Sequence, residues 1–218
     1  VRSYKRYLQD FIVTDALESH RIAFINGPRQ VGKTTLAESL LENINQGSNY
    51  FNWDDDEFRR LWIRTPKDLL ATLPQGSTLV FDEIHKDRKW KAKLKGLYDL
   101  FKKDLKIVVT GSARLDFYRK SGDSLQGRYI PYRLHPFSVG EGPTVKPPPS
   151  NDWDEYFLGT FNVDDLLQFG GFPEPLMLQN LNKVRRWQRL HRERMIKEDL
   201  RDLQEVRDLR LVETLALL

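Results

Sequence analysis

The spacing of apolar residues changes repeatedly along the chain, and each change marks an element. Tyr7, Leu8, Phe11, Ile12 and Leu17 form a rough apolar face and predict a helix over 5–19. Ile22-Ala23-Phe24-Ile25 is instead a continuous apolar run, the pattern of a central strand buried on both faces. Helical spacing returns at Leu36, Leu40, Leu41 and Ile44. Residues 49–53 predict a second strand, ending in the acidic run Asp54-Asp55-Asp56-Glu57. Short helices are expected over 57–63 and 66–73, the second with Thr65 as cap and Pro66 at its first position. Thr78-Leu79-Val80-Phe81 and Lys106-Ile107-Val108-Val109-Thr110 predict two more strands, separated by a helix over 90–103. The alternation of Tyr129–Leu134 predicts a fifth. Strands alternating with helices imply an α/β fold in three layers, a parallel sheet wrapped on both sides.

After residue 140 the pattern changes. Pro147-Pro148-Pro149 stiffens a linker expected over 141–152. Beyond it the spacing is wholly helical, over 163–169, 175–181 and 183–207. The expected organisation is a core over 1–140, the linker over 141–152, and a helical, lid-like segment over 153–218. The chain has no initiator Met and stops inside the apolar helical pattern Leu209, Val212, Leu215, Ala216 without a Gly or polar cap, which predicts a fragment.

Composition narrows the function classes only a little. The net charge of +4 suits nucleic acid and equally suits an ordinary basic protein. No apolar run approaches the roughly 18–20 residues that span a bilayer, so no membrane association is expected. The absence of cysteine excludes disulfides, thiolate zinc sites and cysteine nucleophiles, and agrees with a cytoplasmic location. His20, His85, His135 and His191 lie too far apart for metal-ligand spacing.

The chemistry enters with Gly27-Pro28-Arg29-Gln30-Val31-Gly32-Lys33-Thr34-Thr35, which stands between a predicted strand and a predicted helix. Gly27 and Gly32 let the backbone fold tightly around phosphate and aim its N–H groups inward. Lys33 can reach the β- and γ-phosphates of ATP, and the Thr34 hydroxyl can ligate magnesium. The positive end of the following helix adds to the anion site. Asp82-Glu83 closes a buried strand about fifty residues later. There Asp82 suits a group holding Mg2+ through water, and Glu83 suits the general base that polarises the attacking water. Alternatively the two acids cap the next helix.

Two weaker candidates follow. Thr110 or Ser112, at the end of the next strand, could sense the γ-phosphate; a strand-ending turn is the plainer reading. Arg128 could act as an arginine finger, in its own chain or on a neighbouring subunit, or could simply bond a loop carbonyl or carboxylate. Arg29 and Arg114 are lesser candidates of the same kind. The lysines around Trp90, Leu94, Leu97 and Phe101 fall mostly on the solvated face of a helix, and Trp187 is expected to pack within the arginine-rich stretch from Arg185 to Arg194.

These stretches together resemble the AAA+ superfamily, and more narrowly the prokaryotic AAA-type ATPases that carry a C-terminal domain of unknown function. The resemblance runs through Gly27–Leu36, Val80-Phe81-Asp82-Glu83-Ile84-His85, Thr110-Gly111-Ser112 and Leu125-Gln126-Gly127-Arg128. It continues through Leu134-His135-Pro136-Phe137-Ser138 with Glu141, and Gly170-Gly171-Phe172-Pro173-Glu174-Pro175. It implies an AAA+-like P-loop fold with strand order 5-1-4-3-2, a helical segment beyond the linker, and a further C-terminal region that this chain does not include. The expected function is Mg2+-dependent ATP hydrolysis driving movement or assembly on a DNA or protein partner, with a homo-oligomer compatible with that reading. The alternative is a nucleotide-gated binding module with marginal turnover. A small-molecule kinase or GTPase fits less well, since Asn182-Lys183-Val184-Arg185 lacks the aspartate of a guanine-specificity motif.

Overall fold

In the computed structural model the described residues are 6–42, 49–71, 73–111, 125–141 and 161–195. The apolar run of the first strand is β1 (Ile22–Asn26), buried at every position. Its neighbours are β4 (Leu105–Thr110) on one side and β5 (Tyr129–Arg133) on the other. Beyond β4 lie β3 (Ser77–Asp82), also buried throughout, and the short edge strand β2 (Tyr50–Asn52). All four pairings are parallel, and the order β2-β3-β4-β1-β5 is the expected 5-1-4-3-2 read from the other edge. Continuous apolar strands occupy the middle because both their faces are covered. Pro131 is tolerated in β5 because, among the described residues, that strand is paired on one side only, with β1, and its outer edge needs no ladder donor.

The first helix departs from the expected winding. It begins as α1 (Leu8–Phe11) and passes into a π-helical stretch over Ile12–Leu17. The i→i+5 bonding of that stretch brings Leu17 beside Ile12, and both are buried with Ala16. His20, at φ 53, ends it before β1. After the glycine-rich loop comes α2 (Lys33–Glu42). The acidic run after β2 caps α3 (Asp56–Arg64): the Asp55 carboxylate accepts from the Glu57 and Phe58 N–H groups at 2.8 and 3.5 Å. Next come α4 (Pro66–Ala71), shorter than expected, and α5 (Trp90–Phe101), which buries Trp90, Leu94 and Leu97. Trp62 of α3 meets the Phe81 ring of β3 edge-on at 5.1 Å, so one core joins sheet and helices.

The chain divides into two compact units, Val1–Phe161 and Asn162–Leu218. In the second, α6 (Val163–Phe169) is capped by Asn162 and ends at Gly170, whose φ is 78. Then α7 (Pro173–Leu178) starts on its proline and stops at Gln179, earlier than expected, because Asn180 already caps the next helix, α8 (Leu181–Arg194). Trp187 packs as expected: it stacks on His191 at 4.6 Å and meets Phe172 at 5.2 Å. The rest of the helix expected to 207, and the linker beyond Glu141, lie outside the described residues. Among the described residues no helix is long and apolar enough to cross a membrane.

Candidate functional site at the carboxyl ends of the strands

The loop after β1 owes its shape to its glycines. Gly27 has φ 155, and a Cβ there would stand 2.4 Å from the Leu134 carbonyl oxygen, so only glycine fits against that backbone. Gly32 has φ 98, and Gln30, at φ 61, is left-handed as well. Between them Pro28, Arg29 and Val31 complete the turn, and Val31 is fully buried. Lys33 opens α2, and its Nζ donates to the Gly27 and Pro28 carbonyls at 3.0 and 2.9 Å, which closes the loop on itself. Thr34 and Thr35 follow on the exposed side of the first turn.

Asp82, at the end of β3, is a hub. It is 5% exposed, and four donors from three other elements converge on it. The Thr34 hydroxyl approaches Oδ2 at 3.5 Å, and Asn52 Nδ2 at 3.4 Å. The Tyr50 hydroxyl donates to Oδ2 and the Thr110 hydroxyl to Oδ1. Burial, then the hydrogen bond and the charge of Asp82, push the Tyr50 phenol far above its usual range. Register explains the convergence: Asn52 and Thr110 are both paired with Asp82, and Tyr50 shares the face of Asn52.

Glu83 leaves the strand in the left-handed region, φ 58, an uncommon setting for a side chain that size. The turn directs its carboxylate to His85 Nε2, at 3.5 Å. Burial and the adjacent Asp82 raise its pKa above the usual carboxylate range, while Lys86, Lys33 and Arg29 pull it down. A carboxylate raised in this way is a better proton acceptor near neutral pH than a free one.

Thr34 and Asp82 present hard oxygen donors to one place, which suits Mg2+, an ion held by one or two protein oxygens together with phosphate and water. Among the described residues no group of three or more His, Cys, Asp or Glu could hold a metal by itself.

The structure therefore brings Gly27–Thr35, Asp82, Glu83 and Thr110 together at one end of the sheet. Thr110 faces Asp82, so its hydroxyl proton is directed to that carboxylate. Ser112 and Arg114 lie outside the described residues. Arg128 is not brought to the site. Its carbonyl accepts from the Ile22 N–H at 2.9 Å, which places it where β1 begins, about 16 Å of strand away from the loop. Its guanidinium binds Asp99 of α5 at 2.9 Å. The same bond raises the Arg128 pKa and lowers that of Asp99. Glu174 accepts from the Trp187 indole N–H at 3.0 Å, a role within the second unit. Tyr50 and Asn52 escaped the sequence reading; strand parity after the buried run of β3 was the signal that could have found them.

A parallel sheet of this order, with a glycine-rich loop between β1 and α2 and an acidic pair ending β3, defines a P-loop nucleotide-binding protein. Residues 19–142, more than half the chain, match the AAA domain family, and the chain belongs to that family of AAA-type P-loop ATPases. The fold is similar to that of the Walker-type ATPase PABY2304 of Pyrococcus abyssi, with TM-score 0.51 and 15% identity over 93% of this chain and 76% of that one. AMPPCP-bound DnaA from Aquifex aeolicus aligns at TM-score 0.45 and 13% identity over 87% of this chain. PCH-2 of C. elegans aligns at TM-score 0.38 and 17% identity over 62% of it. The chain spans 65% of that DnaA chain and 41% of that PCH-2 chain. No curated protein matches it by sequence.

Proposed function

We propose that the chain binds ATP with Mg2+ and hydrolyses it, and that hydrolysis drives movement or assembly on a DNA or protein partner. The observation that carries the reading is the meeting of Thr34 with Asp82, at 3.5 Å, beside a raised-pKa Glu83. In this assignment the loop amides and Lys33 bind the β- and γ-phosphates, and Thr34 and Asp82 hold the metal. Tyr50, Asn52 and Thr110 fix the Asp82 carboxylate. Glu83 takes the proton of the attacking water. Magnesium supplies charge neutralisation at the phosphates. The core over 1–140, the linker over 141–152, the helical segment over 153–218 and a cytoplasmic location are part of the same proposal.

Steady-state hydrolysis tests it, with and without single- and double-stranded DNA. Lys33→Ala should abolish turnover, and Glu83→Gln should bind ATP while losing about 10²–10⁴ in rate. Stimulation by DNA would identify the partner class. Full turnover in Glu83→Gln would remove Glu83 from the mechanism.

The position of Arg128 favours a second reading. Because this arginine stands at the amino ends of the strands, away from the loop at their carboxyl ends, it would serve as a finger only for a neighbouring subunit, and an isolated chain would be a nucleotide-gated module with marginal turnover. Specific activity that rises with protein concentration supports the oligomeric ATPase. Tight binding with flat, near-zero turnover supports the module.

A further inference from the structure

Arg6 and Glu141 are 135 residues apart in the chain and meet in a buried pair, Nε donating to Oε1 at 2.8 Å and Nη2 to Oε2 at 3.3 Å. Their side chains are 6% and 1% exposed. Desolvating two charges offsets most of their attraction, so such a pair is a poor source of stability. Its contacts show what it does instead. Arg6 Nη1 donates to the Val31 carbonyl at 3.2 Å, and Nη2 donates to the His135 carbonyl. The guanidinium lies over the Phe137 ring at 4.1 Å. Glu141 is steadied in turn by the Ser138 N–H at 3.2 Å.

These contacts reach the phosphate loop at both ends. Val31 belongs to it. His135 follows Leu134, whose N–H donates to the Asn26 carbonyl at 2.8 Å and whose own carbonyl abuts Gly27. In a trans peptide the carbonyl and the next N–H point in opposite directions. A Val31 carbonyl drawn to Arg6 therefore turns the Gly32 N–H away from the pair, to the side where the loop amides would meet a phosphate.

We infer that the Arg6–Glu141 pair is a positioning brace for the phosphate loop, holding the Val31–Gly32 peptide in its phosphate-binding orientation from outside the loop. The inference rests on the ATP-binding reading above. Loop amides hold phosphate in the ground state and the transition state alike, so loss of the brace raises Kd and KM and leaves kcat nearly unchanged.

The test is calorimetric titration with Mg-ATP, steady-state kinetics and thermal melting of the wild type, Arg6→Lys, and the double variant Arg6→Met/Glu141→Leu. Lysine keeps a charge opposite Glu141 but has no planar fork to reach Val31 as well. Arg6→Lys should raise Kd and KM about tenfold with kcat within about threefold. The double variant refills the site with apolar side chains, an exchange that is often neutral or stabilising, so it should melt near the wild type yet keep the loss of affinity. Hydrogen exchange at the Gly32 amide of nucleotide-free protein should be faster in both variants. That readout needs no nucleotide: a wild type that binds no ATP would sink the ATP-binding reading, and Gly32 exchange would still decide the brace. Wild-type affinity together with wild-type Gly32 exchange in either folded variant would overturn the inference.

Discussion

Replacing Gly27 by alanine probes the packing beneath the phosphate loop. The new Cβ would stand 2.4 Å from the Leu134 carbonyl oxygen and 3.3 Å from Val31 Cγ1. Leu134 is held in place, since its N–H is bonded to the Asn26 carbonyl at 2.8 Å. Gly76 provides the control: its φ is +80, yet a Cβ there meets nothing within 4 Å among the described residues. Alanine at Gly76 carries a backbone penalty of ~1–2 kcal/mol. At Gly27 overpacking adds a further ~1–3 kcal/mol. For a chain of this size each kcal/mol lowers Tm by about 2–4 °C, so Gly27→Ala should melt about 2–12 °C below Gly76→Ala. Thermal melts of the nucleotide-free proteins measure the difference, and ATP titration should show affinity lost only in Gly27→Ala. Equal melting temperatures would refute the reasoning, because the close approach to Leu134 would then have no energetic consequence.

Burial and Asp82 raise the Glu83 pKa, so the folded state holds that proton to higher pH than the unfolded chain does. Its contribution favours folding in acid and is lost as pH rises through the folded pKa. Metal-free Glu83→Gln should therefore melt above the wild type at neutral and alkaline pH and converge with it in acid; parallel curves would contradict the shift. Tyr50→Phe removes a donor from Asp82 and should lower stability by ~1–2 kcal/mol in denaturant titration, while an unchanged midpoint would mean the bond contributes nothing. Trp187→Phe keeps the ring but strips Glu174 of its donor. It should cost ~1–3 kcal/mol, read as faster amide exchange in α7 and α8; unaltered exchange would deny Glu174 that role.

The parts of this protein legible in its sequence are those written in contiguous residues. The buried run of β1, the glycine spacing from Gly27 to Thr34 and the acidic end of β3 each needed only a short window. The strand order was legible through the family resemblance and agrees with the observed sheet. What escaped depends on register and long-range closure. Tyr50 and Asn52 come from a three-residue strand whose pairing with β3, and nothing in its own composition, sets them against Asp82. Nothing in the residues around Arg6 marks it out, and its partner lies 135 residues on. Thr110 was a candidate for meeting phosphate, but parity along β4 turns its hydroxyl to Asp82. Arg128 sits next to a glycine in a motif that names no location. Only the pairing of β5 with β1 reveals that it stands at the amino ends of the strands, the opposite end of the sheet from the loop.

On the proposed function, the loop from Gly27 to Thr34 is an ATP site completed by Asp82. Titration of the protein with a fluorescent ATP analogue in the presence of Mg2+, followed by competition with ATP and GTP, tests it directly. Saturable binding to the wild type is expected, with displacement by ATP in preference to GTP, and loss of binding in Lys33→Ala and on chelation of Mg2+. Binding that survives Lys33→Ala unchanged, or a wild type that binds no nucleotide, would contradict it.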